Sequence, residues 1–251
     1  MQSRYLLGLV FSALVTVAYF WLQPSQLLGP VTDYIYVITS GICSFLAFLA
    51  VRRWGFRGKF GFVHLGLFLG IFLWFLGDLT WTMYENVLQL PIPYPSFADV
   101  FYLAAYIPFT VGLFQFLRAF FSGVRRDRFL AALGVGMFFV ALTSFTLIGP
   151  LVLSTEDLLT KTFDVTYPVL DSILVVLSLL MFAAFKGGKM AGAWVWISLG
   201  LLLSALADIT FSLGTLQGWY YSGHPIELIQ LWGYFALAIG FDEQRGASLV
   251  S

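Results

Sequence analysis

Carboxylates set in apolar sequence are the groups in this chain best placed to do chemistry. Asp78 stands in LGIFLWFLGDLTWT (residues 69–82) and Asp208 in LGLLLSALADITFS (residues 199–212), each well inside a run that cannot solvate a charge. An ionised Asp at the centre of a membrane helix costs on the order of 2.5–3.5 kcal/mol even on the lenient insertion scale. Both residues fall in the C-terminal half of a helix, where the helix dipole also disfavours an anion. Two such costs at corresponding positions suggest a use: a bound cation, a protonation switch or a polar ligand. The structural alternative is a neutral or hydrogen-bonded Asp, tied to Thr80, Thr210, Ser204, Ser212 or a group across the bundle.

Glu85 follows Asp78 by seven residues, on the same helical face. With Asp99 and Asp171 at similar height, these acids could line a polar vestibule. A second pattern offers a blander reading for some of them. Pro30 precedes Asp33, Pro95 precedes Asp99, Pro168 precedes Asp171 and Pro225 precedes Glu227. Proline in a first helical turn loses no hydrogen bond, and an acid there meets the positive end of the helix dipole. N-terminal capping therefore accounts for these four acids without a ligand. The aromatics around them, Trp81, Tyr84, Tyr94, Phe97, Tyr102, Trp219, Tyr220 and Tyr221, read as an interfacial belt.

Other chemistries find little support. His64 and His224 are the two histidines, and they fall on opposite sides of the predicted bundle, so a bis-histidine haem is excluded. His64 reads as an interfacial residue. His224 beside Glu227 makes a weak metal candidate, since catalytic zinc usually takes three protein ligands. The spans lack the lysine that retinal attachment needs, and no nucleophile elbow, Walker motif or dinucleotide glycine motif is present, so a non-enzymatic role is expected and no cofactor is indicated. Cys43 is the single cysteine, which rules out an intrachain disulfide.

The elements that hold these residues are long and apolar. The chain has 251 residues, 60% hydrophobic and 10% charged, against about 25% charge in soluble domains. Mean hydropathy is +0.89. Several runs reach the ~20 residues that cross a bilayer core, so an all-α, polytopic membrane protein is predicted. Eight transmembrane helices fit, over residues 5–22, 31–51, 60–88, 97–117, 129–153, 163–185, 193–216 and 226–241. The first is too long for a signal-peptide core and reads as retained.

All the Lys and Arg residues except Lys161 then lie at the termini or in three short loops: Arg52 to Lys59, Arg118 to Arg128, and Lys186 to Lys189. The positive-inside rule places those loops and both termini in the cytoplasm. The acids other than Asp127, Asp242 and Glu243 collect in the outer half. Formal net charge is zero, so nucleic acid is not an expected partner.

The chain also repeats itself. Residues 29–40, GPVTDYIYVITS, and 167–178, YPVLDSILVVLS, share P-V-x-D-x-I-x-V-x-x-S, and the segments around Asp78 and Asp208 align in the same sense. A tandem duplication of a four-helix unit, residues 1–128 and 129–251, explains both echoes. An even helix count gives the two units the same orientation, related by a pseudo-twofold axis along the membrane normal.

At Gly77-Asp78, the run YPSFADVFYL (residues 94–103), YPVLD (residues 167–171) and Ala207-Asp208, the chain resembles the multi-helix N-terminal membrane modules of some bacterial diguanylate cyclases and cyclic-di-GMP phosphodiesterases. The likeness spans most of helices 2 to 8. It implies an input module, sensing or binding a small ligand, cation or proton from the outer face. The chain ends soon after helix 8 without an output domain, so a protein partner is expected to carry the signal. The alternatives are a structural subunit of a larger membrane complex, or a small-solute or cation transporter.

Overall fold

A computed structural model describes residues 2–22, 28–90, 92–120, 124–184 and 191–246. The apolar runs fold as helices throughout these residues. They are α1 (Gln2–Leu22), α2 (Leu28–Trp54), α3 (Gly58–Thr82), α4 (Phe97–Phe120), α5 (Arg126–Thr143), α6 (Leu158–Ala184), α7 (Ala191–Gln217) and α8 (Glu227–Gly246). A π-helical turn, Met83–Val87, continues α3, and a second, Ser144–Ile148, joins α5 to a last helical turn, Gly149–Leu153. Six of these rods are long and apolar enough to cross a membrane. The chain is a multi-pass helical membrane protein. α8 falls outside the six because Glu227, Asp242, Glu243 and Arg245 dilute its apolar content.

Packing closes six helices into a ring. α2 packs on α3, α3 on α4, α4 on α6, α6 on α7, α7 on α8, and α8 returns to α2. α1 leans on the outside of α8 and α2, and α5 on the outside of α6. α5 is the least enclosed span. Phe145 is 85% exposed, and Phe138 and Met137 also face outward, as lipid-facing positions do in a bundle with no water to avoid.

Glycines set the two tightest crossings. A Cβ on Gly66 would sit 2.6 Å from the Pro108 carbonyl oxygen and 2.8 Å from Gly112 Cα, so α3 and α4 meet backbone to backbone. A Cβ on Gly200 would lie 2.8 Å from the Gly233 carbonyl oxygen, which does the same for α7 and α8. Small residues at membrane-helix crossings allow this approach. Between the crossings the interior is filled by Trp74, Phe109, Phe116, Trp194, Leu237 and Phe241, all buried.

Several helices begin earlier than the sequence reading, and two of these starts change the place of an acid. α2 begins a turn early, at Leu28, so Pro30 occupies its first turn and Asp33 lies beyond it. α6 begins at Leu158, so Pro168 is inside the helix and Asp171 is near its middle. Proline is tolerated within membrane helices because neighbouring groups re-satisfy the freed backbone. His64, near the start of α3, is enclosed by protein. It is buried, its Nδ1 lies 2.8 Å from the Phe60 carbonyl oxygen, and its ring stacks on Trp54. The loop from Lys186 to Lys189 and much of the α1–α2 connection lie outside the described residues.

Candidate functional site

Several acids of the end opposite the basic loops are partnered by tyrosines. Tyr102 of α4 donates to Asp78 Oδ1 at 2.9 Å, and Tyr234 of α8 donates to Asp78 Oδ2 at 2.9 Å. Tyr167 of α6 donates to Asp99 at 2.8 Å, Tyr94 donates to Asp164, and Tyr220 donates to Glu227 at 2.9 Å, while the Tyr19 hydroxyl donates to the His224 carbonyl at 2.7 Å and lies 3.1 Å from Glu227. Arg125–Asp127 and Arg245–Asp242 ion pairs lie at the other end of the bundle. A phenol is neutral and carries one donor. It can satisfy a buried carboxylate without a second charge being desolvated.

Asp78 owes its geometry to the residue before it. A Cβ at Gly77 would fall 2.4 Å from the Tyr102 ring, so glycine leaves the space through which the phenol reaches the carboxylate. Thr80 and Thr210 do not serve the acids. Their hydroxyls return to the carbonyls of Leu76 and Leu206 on their own helices. Ser204 Oγ is buried and makes no hydrogen bond.

Asp208 and Asp171 are arranged differently. Both approach one hydroxyl, Tyr106 of α4, with Asp171 Oδ1 at 2.5 Å and Asp208 Oδ2 at 3.3 Å. Asp171 is 0% exposed, and its Oδ2 has no hydrogen-bond partner. Asp208 is half-buried. Sharing one hydroxyl keeps the two carboxyl groups within about 6 Å of each other, and two full charges at that separation would repel by ~3 kcal/mol at an effective dielectric of ~20. Trp74 divides this site from the first. Its ring meets Tyr106 at 6.5 Å and Tyr234 at 6.3 Å, edge-on in both cases.

No match to this chain is found among family models, curated proteins or solved structures. The site must therefore be read from its own geometry.

The first-turn reading holds for two acids of the four, Asp99 and Glu227, and only Asp99 makes a capping box. Ser96 is the N-cap of α4. Its Oγ accepts from Ala98 N at 3.2 Å, and Asp99 Oδ2 accepts from Ser96 N at 2.6 Å, which forms a capping box. Asp33 is buried past the first turn and accepts from Asn86 Nδ2 at 2.8 Å. Asp171 is mid-helix. Glu227 stands in the first turn of α8 and accepts from Gly223 N at 2.8 Å, but Tyr220 also holds it.

The acids named from sequence separate into different places. Glu85 lies in the π-helical turn and accepts from Trp81 Nε1 at 2.9 Å and from Ser222 at 3.4 Å. Asp78, Asp99 and Asp171 are enclosed by phenols and buried, so they do not line an open vestibule. His224 is surrounded by Trp219, Tyr220 and Tyr221, and its Nδ1 accepts from Ile226 N at 3.2 Å. Among the described residues, no three His, Cys, Asp or Glu side chains gather as a metal site.

Sequence reasoning assigned Tyr94, Tyr102 and Tyr220 to an aromatic belt. Phe97 and Tyr221 do face outward. Tyr102 and Tyr220 turn inward instead, whereas Tyr94 stays exposed and binds Asp164 at the rim; partial burial with a neighbouring carboxylate raises the Tyr94 and Tyr220 hydroxyls well above the usual phenol range. The sequence reading does not single out Tyr19, Tyr106 or Tyr234, and Tyr167 enters it only as part of a motif. Their one available signal is spacing: Tyr102 and Tyr106 are an i, i+4 pair on α4, one turn apart on a single face.

Proposed function

We propose that this chain is a non-enzymatic membrane module that binds a small ligand, a cation or a proton through its buried outer carboxylates and passes a change in helix packing to a protein partner. Eight spans, cytoplasmic termini and two parallel four-helix repeats belong to the same proposal. The ring supports the repeats: read from α2 or from α6, the order of neighbours is the same, and the closest crossings fall at α3–α4 and α7–α8. The likeness to bacterial signalling input modules supports the sensory role.

One observation carries the reading. Asp171 and Asp208, on two different helices, converge on one hydroxyl, and a fully buried Asp171 oxygen is left without a donor. A buried polar atom with no partner forfeits its desolvation cost, about 1–3 kcal/mol and more if charged. A structural bond would not need that. A bound species that changes the charge here alters the balance among α4, α6 and α7. Only a difference in affinity for two packings can drive such a change.

Thermal unfolding of the purified chain in lipid nanodiscs, across pH and with added monovalent and divalent cations, tests the reading. A saturable shift in wild type that is lost in Asp171→Asn and Asp208→Asn is expected. A wild type indifferent to every condition would leave the second reading, a structural subunit, which the exposed apolar face of α5 favours.

A further inference from the structure

We infer that Asp171, Tyr106 and Asp208 form a site for one exchangeable proton, shared by the two carboxyl groups through the phenol and joining α7 to α4 and α6. The inference rests on the sensing role proposed above and names the species bound.

Donor counting points to a proton. The Tyr106 hydroxyl carries a single hydrogen. The shorter contact, 2.5 Å to Asp171 Oδ1, takes it. The phenolic oxygen is then an acceptor, and the contact to Asp208 Oδ2 at 3.3 Å is a hydrogen bond only if Asp208 donates. With one added proton the chain of bonds runs from Asp208 O–H to the Tyr106 oxygen, and from Tyr106 O–H to Asp171. When that proton leaves for water, two carboxylates face one donor. The Asp208 contact becomes oxygen against oxygen, while the Asp171 contact remains. The 3.3 Å separation is already longer than the 2.5–3.0 Å of ordinary hydroxyl bonds. Deprotonation therefore releases α7 from α4 and leaves α6 attached.

The surroundings favour a proton over a metal ion. Hard cations take six or more oxygen ligands. Here the acidic ligands are two, and no third His, Cys, Asp or Glu completes a metal group among the described residues. The titratable groups nearest the triad are Tyr102 on α4, Tyr167 on α6, Asp78 on α3 and Tyr234 on α8. Each is already engaged: Tyr102 and Tyr234 with Asp78, and Tyr167 with Asp99. None is a cation that could hold both aspartates ionised. Asp208 is half-buried and Asp171 fully buried, so proton exchange is assigned to the Asp208 side.

Infrared difference spectroscopy of the full chain in nanodiscs reads this directly. Aspartate labelled with 13C at its side-chain carboxyl identifies the protonated carboxyl stretch as an Asp band. The expected wild-type result is one such band that disappears in a single step as pH rises, is lost in Asp208→Asn and in Asp171→Asn, and shifts in frequency in Tyr106→Phe. Asp164→Asn leaves it in place. An unlabelled-frequency band that ignores the 13C label overturns the proposal even if a variant fails to fold, and so does a band that survives both Asn substitutions. Should no band exist while sodium or calcium stabilises wild type and not Asp208→Asn, the proton is wrong and the sensing role stands with a cation. Should neither protons nor cations act, both fall.

Discussion

Asp78 and Asp208 occupy corresponding places in the two halves of the sequence, yet their surroundings differ in the ratio of donors to acids. Asp78 has two phenols, one for each oxygen, supplied by α4 and α8. Asp208 has a share of one phenol, and a second acid competes for it. A carboxylate with a donor on each oxygen is a fixed cross-brace, because protonating it displaces one good bond and weakens the other. Two carboxyl groups with one donor between them cannot both be satisfied as anions. On the proposal above, the same residue type is thus a strut where two phenols hold it and a responsive joint where two acids compete for one.

Breaking the strut should have the largest effect. Tyr102→Phe together with Tyr234→Phe leaves Asp78 buried with both donors gone. Removing the partners of a buried charge costs ~3–5 kcal/mol, so unfolding in detergent should reveal a strongly destabilised or unfolded chain. Gly77→Ala attacks the same strut through shape. Its Cβ meets the Tyr102 ring, and overpacking of this kind costs ~1–3 kcal/mol. A normal melting temperature for Gly77→Ala would show that the Tyr102–Asp78 bond is dispensable.

The joint should behave in the opposite way. Asp208→Asn removes one of two competing charges, so its stability should match or exceed that of wild type within ~1 kcal/mol, and its melting temperature should no longer vary with pH as wild type does. Marked destabilisation would place Asp208 among the struts. The smallest effect should come from Asp157, an exposed acid outside the spans that serves as the reference. The Thr160 hydroxyl and backbone N–H groups of Thr160 and Leu159 hold its carboxyl below the usual range. Such a group stabilises the fold above its unfolded value and loses that contribution as pH falls through the folded one. Asp157→Ala should therefore fray the start of α6 slightly at neutral pH and make no difference in strong acid, which hydrogen exchange at Leu159 and Thr160 can measure.

The helices were legible in the sequence because apolar runs of this length have few other fates. Their starts were less so. Pro168 looked like a first-turn proline, but in a bundle it can sit inside α6, and the misplacement turned Asp171 from a core acid into a cap. The acids of the site were legible because charge is rare in spans. Their partners were not. Tyrosine suits a membrane interface as well as a buried bond, and nothing local distinguishes Tyr94 or Tyr102 from Tyr221. The Asp78–Tyr234 pair is 156 residues apart, and that separation is invisible until the ring closes. The difference between strut and joint is a matter of stoichiometry across four helices, which no single segment contains.

The ring closure between α8 and α2 also sets a schedule. Synthesis at ~5–20 residues per second delivers Tyr234 roughly 8–30 s after Asp78. During that interval α3 and α4 can pair, but the brace across the ring has only its Tyr102 half. A nascent chain held short of α8 should therefore carry an incompletely tied acid in its third helix, and it is at this stage of biogenesis that the chain would be most open to capture by insertion chaperones or membrane proteases.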